Sequence, residues 1–488
     1  MLATLIRKEL IDHVFSLRFY LSFALCFLFM TAGIAVLVRG HVQDIKALGP
    51  YLNPDQYRQI VERGNAVALL NGGVSLSRSL PPLKSVCTGL DDLSLIATLK
   101  GVEEPVFRRR AFVANPVPDL FPRFDLVFIV GAVVSLIAIN FTYDAICGEK
   151  QNGTLRLTLA GGVPRHLVLL GKLIGGYLAF LVGYLPSMLM VCLLLSLTPE
   201  IPLGGSEWIA IGGIFLLSLL YAAVFFALGL WVSTQTASPA TSLVTLLAAW
   251  AALVLVAPSL SPYLAARLAP ADSPEAVEAR ISAIRMAAAR RGWDETLGYL
   301  RANGLPHRFE IGGETYDDWN PAWGSWVDAV PRVIPQAPDS VAASRFLQFS
   351  TEVVRRQFLS AEANVLQVRQ AHVRSLERQM TVGLALSCLS PLGVFTHLVT
   401  DLSGTGVQSE HRFRRAVDRF KRDIVSYVGR QLSERTLFDR LDAAAFPAFQ
   451  YRAQEDSGRV ALYILLLVGF QAVFLLMAHV AFCRYDVR

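Results

Sequence analysis

Charged side chains are scarce in this sequence: Asp, Glu, Lys and Arg make up 17% of 488 residues, against 53% hydrophobic ones. That apolar excess is more than one soluble core can bury, and it excludes an ordinary soluble enzyme. Cysteine is also sparse. The six thiols form no C-x-x-C pair and no Cys/His spacing suited to zinc; Cys26, Cys192, Cys388 and Cys483 lie in or beside apolar runs and read as small packing residues. No G-x-x-x-x-G-K-[ST] occurs, because Gly171-Lys172 has His166 in place of the first glycine and Leu173 in place of the hydroxyl. No H-E-x-x-H or G-x-S-x-G is present and the eight histidines are dispersed, so no catalytic residue, metal ligand or cofactor site is expected in this chain. The net charge of +6 is spread over Arg-rich stretches without an RNA- or DNA-binding signature, and nucleic acid is not expected as a partner.

What is abundant is the long uncharged block. A run of about 20 apolar residues, rising about 1.5 Å per residue, crosses a hydrocarbon layer roughly 30 Å thick. Such runs fall at 17–38, 126–146, 173–197, 208–232, 241–260 and 460–482, which predicts an all-α polytopic membrane protein with six transmembrane helices. Residues 1–16 set Leu2, Leu5, Ile6, Leu10 and Val14 on one stripe and Arg7, Lys8, Glu9 and Asp12 opposite, the pattern of an interfacial helix. Those charges, and the absence of an A-x-A site, speak against a cleaved signal peptide. Arg7, Lys8, Arg18, Lys150, Arg156, Arg165, Lys172, Arg484 and Arg488 flank the spans on one side, so both termini are expected in the cytoplasm. The expected layout is an interfacial helix at 1–16, a first span at 17–40 and an extracytoplasmic segment at 41–122. Spans two to five follow at 123–262, then a helical extracytoplasmic domain at 263–457 and the last span with its tail at 458–488.

Within 263–457, Leu347, Thr351, Val354, Phe358, Ala361, Val365, Val368 and His372 alternate at three and four residues, and Phe413, Val417, Phe420, Ile424 and Val428 nearly repeat that spacing. Two long amphipathic helices packed on one another are predicted. A third is expected from Ser273 to Ala302, with Pro274 at its first position, and a loop over 303–340. Segment 381–400 is just long enough to span, but Pro391 and Gly393 interrupt it; the expectation is a bent segment on the outer membrane surface, with a seventh span as the alternative. The two extracytoplasmic segments are expected to dock on one another, with Trp319, Trp323 and Trp326 needing cover.

The most informative stretch follows the second span. Asp144, Gly148, Glu149, Lys150, Gly153, Thr154 and Leu155 are followed by Pro164-Arg165 and by Gly171-Lys172 opening the third span. Gly153 permits a sharp reversal, and Leu155, Leu157 and Leu159 are expected to offer an apolar edge to a partner or the membrane. An acidic residue, a Gly-Thr, a Leu-rich stretch, a Pro-Arg step and a Gly-Lys at these spacings resemble the cytoplasmic coupling segment of type-two ABC exporter permeases. The charged N-terminal helix, Phe124-Asp125-Leu126 and Arg484-Tyr485-Asp486 resemble the branch with a large extracytoplasmic insertion before the last span. The resemblance covers about half the chain; over 263–457 only Ser390-Pro391-Leu392 belongs to it. It implies a transmembrane subunit that pairs with a second copy or a related permease and with two separate ATPase subunits, which would bind ATP and Mg. Arg7, Lys8, Glu9, Glu149, Lys150, Gly153, Thr154, Arg165 and Lys172 would then form the ATPase-coupling interface, within the N-terminal helix and residues 148–172. Leu402-Ser403-Gly404-Thr405-Gly406 is superficially similar to an ATPase signature loop but lacks its final glutamine and reads as chance.

An ionisable group in hydrocarbon is costly unless it faces protein or water. Asp125, Asn140 and Asp144 on the second span are therefore candidate pathway residues, with interfacial anchoring as the plainer role for the aspartates. The resemblance implies export across a bacterial cytoplasmic membrane without identifying the substrate; a helix-lined path between apolar spans suits lipids, peptides or amphipathic natural products more than small ions. In the alternative, the ATPase moves the helical insertion against an extracytoplasmic partner protein without transport. A third reading, a membrane sensor, lacks a visible cytoplasmic signalling module.

Overall fold

The structure, a computed structural model, describes residues 2–48, 73–89, 94–100, 105–108, 124–305, 307, 309–311, 314–316, 333–336, 339–434, 439–440, 442–451 and 457–484. In chain order it contains α1 (Leu2–Val14) and α2 (Leu17–Leu48), then the strands β1 (Gly73–Ser77), β2 (Ile96–Lys100) and β3 (Val106–Arg108). Next come α3 (Leu126–Gln151), α4 (Thr154–Ala160), α5 (Arg165–Ser196), α6 (Gly205–Gln235), α7 (Pro239–Leu268) and α8 (Pro274–Ala302). A hairpin of β4 (Phe309–Ile311) and β5 (Glu314–Tyr316) leads to α9 (Ser340–Ser387), α10 (Pro391–Leu402), α11 (Val407–Glu434) and α12 (Ser457–Cys483). Among the described residues six helices, α2, α3, α5, α6, α7 and α12, are long and apolar enough to cross a membrane, and they coincide with the six predicted runs.

The bundle is organised around α6. This helix is apolar on every side, as befits one enclosed by others, and buries Ile214, Tyr221, Ala222, Phe225 and Phe226 completely. It packs against α3, α5, α10 and α12. Its polar groups are satisfied internally: the Tyr221 hydroxyl donates to the Gly131 carbonyl at 2.9 Å, and Ser218 accepts from the Tyr184 hydroxyl at 2.7 Å.

The segment expected on the membrane surface is corrected by the structure. It does bend, but its second half enters the bundle as α10. Pro391, Gly393, Val394, Phe395, Leu398 and Val399 are buried, and Phe395 lies 4.8 Å from Tyr221, midway along α6. The chain therefore descends with α9, turns inside the bundle and returns with α10. Broken backbone is tolerated at that depth only if protein satisfies it. Ser390 does so: its Oγ accepts from the amides of Leu392 and Gly393 and donates to the Leu253 carbonyl of α7. The turn also needs glycine, since a Cβ on Gly393 would lie 2.1 Å from the Ser387 carbonyl oxygen. The Leu402 to Gly406 stretch is the tight turn from α10 to α11, with Gly404 at φ +68° and Thr405 buried.

Opposite the chain termini, α8, α9 and α11 form a second core with Trp293, Leu300, Phe346, Val353, Phe413, Val417, Phe420 and Val428. Ser273 caps α8 and Pro274 opens it, as expected. The two long helices do pack together, but α9 also lies along α8, where Val277 and Ile281 meet Val365. The first segment contributes an antiparallel sheet, β1 against β2 and β2 against β3, which the sequence analysis did not anticipate. Leu76, Ala97 and Leu99 of this sheet join the helical core, and the buried Arg78 guanidinium reaches Glu410 on α11 at 2.8 Å. The two segments thus dock, while Trp319, Trp323 and Trp326 lie outside the described residues. The loop expected over 303–340 includes the β4–β5 hairpin.

Candidate functional site: the charged joint at the termini end of the bundle

The site starts from two glycines. Gly171 and Gly175, one helical turn apart on α5, leave a groove into which α1 settles. A Cβ on Gly175 would lie 2.6 Å from the Glu9 Cβ, and one on Gly171 would lie 2.9 Å from the Leu5 Cβ. Small residues at this spacing let helices touch backbone to backbone. The close approach delivers Glu9 to Lys172, whose ammonium lies 3.0 Å from Glu9 and 2.9 Å from Glu149 on α3. The Lys172 side chain is only 6% exposed, and two carboxylates compensate the cost of burying its charge. Lys8, largely in solvent, closes the cluster from outside at 3.6 Å from Glu149 and 3.9 Å from Glu9. Three elements distant in sequence are therefore held at one point. Arg7 is exposed and stands outside the cluster.

His13 extends the joint inward, stacking on Phe141 of α3 at 5.2 Å. Burial lowers its pKa below the ordinary imidazole value, against the opposing pull of Glu9 and Asp144. On the other flank of α3, Asp144 pairs with Arg18 of α2 at 2.7 Å, and Asn140 donates to Ser22 at 3.3 Å. Both tie the first two spans together. Asp125 sits at the far end of α3, where it caps the helix by accepting from Phe128 and takes two further bonds from Thr88. None of the three candidate pathway residues joins the Lys172 cluster, and each is engaged in joining segments.

Lys150 and Arg165 act on helix ends. A helix leaves its last carbonyls without intrahelical donors. Lys150 donates to the Thr234 carbonyl and, at 3.3 Å, to that of Thr236, at the end of α6. Arg165 donates to the carbonyls of Phe482 and Cys483, at 3.1 and 2.6 Å, at the end of α12. Cations there also complement the helix dipole.

Between them Gly153, at φ +74°, reverses the chain into α4, and Thr154 donates weakly to the Glu149 carbonyl at 3.5 Å. The three leucines of α4 do not form one edge, which corrects the sequence reading. Leu155 and Leu159, one turn apart, face the bundle and pack with Ile146, Val168, Leu169, Leu230 and Phe482. Leu157, on the opposite side of the helix, is 75% exposed, beside the exposed Arg156. The short helix is thus clamped on one face and open on the other.

One contributor was missed from sequence. Ser233 on α6 accepts from the amides of Ile146 and Cys147, where α3 breaks its own ladder. Gly175 is one of several span glycines that suit close helix contact, and the helix it admits is α1. Among the described residues no three His, Cys, Asp or Glu side chains converge as metal ligands. What the arrangement can do is transmit force: a short helix with one exposed face packs on α3 and α5, which are tied to α1 through Lys172 and to the ends of α6 and α12 through Lys150 and Arg165.

Comparison with known proteins gives a consistent picture. The family model described as "ABC-2 family transporter protein" matches residues 3–487. Two similar relatives are both named "Probable ABC transporter permease protein NosY". That of Stutzerimonas stutzeri is 34% identical over 128 residues, covering 25% of this chain and 45% of the relative. That of Pseudomonas aeruginosa is 34% identical over 132 residues, with the same shares. The chain spans about half the length of the curated relatives it matches, 45% of each.

Proposed function

The chain belongs to the ABC-2 transporter family, and from that premise we propose that it is the permease subunit of an ATP-driven exporter. Two separate ATPase subunits, holding ATP and Mg, dock on the exposed face of α4 around Arg156 and Leu157. A second copy of the chain, or a related permease, completes the membrane unit. Both termini face the cytoplasm of a bacterium, and the substrate is amphipathic. The observation that carries the reading is the Lys172 cluster. Glu9 and Glu149 both bind that ammonium and so tie α1, α3 and α5 at one point, and α4, packed on α3 and α5 through Leu155 and Leu159, is placed to pass a displacement to them.

The test is to reconstitute the complex with Glu149→Gln or Arg165→Ala. Both variants should insert into membranes and hydrolyse ATP while losing most transport. Unchanged transport in both contradicts the assignment.

A second reading keeps the ATPase and drops transport. It is favoured by α9, 48 residues long without a break, about 70 Å at 1.5 Å per residue. This rod links the distant domain directly to the turn inside the bundle and suits a lever that acts on an extracytoplasmic partner. ATP hydrolysis stimulated by a small amphipathic ligand supports export. Stimulation only by an extracytoplasmic protein supports the lever.

A further inference from the structure

The Arg-rich run of α11 has no part in the reading above. It lines a cleft of about 540 Å³ between α9 and α11. Beside it Glu362 reaches Arg285 on α8 at 3.1 Å and Lys421 on α11 at 3.8 Å, and Glu377, nearer the bundle, ties α9 to His411 and Arg415 of α11. Six cationic side chains line it against two carboxylates, Glu362 and Asp418. Arg374, Arg415, Arg419 and Arg422 form an exposed rim. Arg415 is paired with Glu377, whereas Arg419 and Arg422 have no carboxylate within ion-pair distance among the described residues. The floor is apolar, made by Leu359, Val365, Leu366, Val373 and Val425.

The cleft also has a fixed height. Gly383 of α9 packs on Ala265 near the far end of span α7, a Cβ there lying 3.4 Å away. Arg374 is nine residues further up α9, about 14 Å at 1.5 Å per residue. The lower edge of the cleft therefore lies about 14 Å along α9 from the end of a membrane span, and the cleft runs away from it. An excess of guanidinium groups selects an anion, with phosphate oxygens the best match for their forked donors. The apolar floor between the helices suits a hydrocarbon chain, which an acidic polymer lacks.

We propose that this cleft binds an anionic lipid of the adjacent leaflet, its phosphate held by Arg419 and Arg422 and one acyl chain laid along Leu366, Val373 and Val425. The site gives the proposed permease an amphipathic ligand on the side opposite its termini. Binding requires no ATPase, so it succeeds or fails independently of the permease reading.

The test uses the full chain in a neutral maltoside detergent, titrated with dioctanoyl phosphatidylglycerol below its micelle concentration and followed by calorimetry. Saturable one-site binding is expected, weakened at least tenfold in Arg419→Gln/Arg422→Gln and at least fivefold in Val425→Asp. Both substitutions lie on the helix surface lining the cleft, and thermal unfolding of each variant checks that the fold persists. Dioctanoyl phosphatidylcholine binding equally well overturns the charge selection, and inorganic phosphate binding as tightly overturns the lipid. Polyglutamate displacing the lipid at lower concentration assigns the cleft to an acidic protein and overturns the proposal, as does lipid binding that both variants leave unchanged.

Discussion

Lys172 shows how the chemistry of one residue organises this end of the molecule. Its ammonium neutralises two carboxylates that would otherwise repel each other in a partly dry pocket. Removing one member of a buried ionic group typically costs about 3–5 kcal/mol, because the remaining charge is left uncompensated. Lys172→Ala should therefore lower the thermal midpoint of the purified chain clearly. Adding Glu9→Gln and Glu149→Gln to that variant should recover part of the loss, because no charge is then left unpaired. A triple variant less stable than the single one contradicts this account. His13 gives a pH dependence. Burial lowers its pKa in the folded chain, so released α1 binds the proton more readily than docked α1. Docking is then strongest above the ordinary value of 6.5 and weakens as pH falls below it. Limited proteolysis of α1 should accelerate on acidification, and His13→Gln should flatten that response. The charged residues of this joint were legible in sequence because charges beside an apolar run are conspicuous. Their mutual contacts were not, since Glu9 and Lys172 are 163 positions apart and meet only through the gap left at Gly175.

At the scale of elements, two glycines decide where helices go. Gly175→Ala places a methyl 2.6 Å from the Glu9 Cβ and 3.1 Å from the Ile6 carbonyl oxygen, and such overpacking costs about 1–3 kcal/mol. The strain should be relieved by lifting α1, exposing a cysteine placed at Ile6 to maleimide; an unchanged labelling rate contradicts the close fit. Gly393→Ala meets the Ser387 carbonyl and should disrupt the turn between α9 and α10, destabilising the chain by at least as much in thermal unfolding. That turn also marks the limit of sequence reasoning. Pro391 and Gly393 were correctly read as interrupting a helix, but a surface location was inferred because broken backbone is costly in lipid. The cost is met inside the bundle by the Ser390 hydroxyl and the Leu253 carbonyl, a partner 137 positions away that no local pattern reveals. The six spans were legible for the opposite reason, since length and hydropathy are local properties. The sheet of β1 to β3 was missed because strands of five, five and three residues carry too few alternations to register.

At the scale of the whole molecule, two stiff bodies share one continuous element. The membrane bundle is centred on α6, the opposite domain on an aromatic core keyed by the Arg78–Glu410 pair, and α9 belongs to both. A push at α4 is thereby connected to the distant domain through packed helices, and both the export reading and the lever reading use that connection. They share the claim that an ATPase seats on the exposed face of α4. The measurement that tests it most directly is purification of the tagged chain from native membranes in mild detergent, with quantification of co-purifying ATPase and its hydrolysis, for wild type and for Arg156→Glu/Leu157→Asp. Both side chains point away from the bundle, so the variant should fold and insert normally. The account predicts an ATPase subunit in about equal amount with the wild type, and its loss together with hydrolysis from the variant. An ATPase retained in full by the variant, or absent from a well-folded wild type, contradicts it.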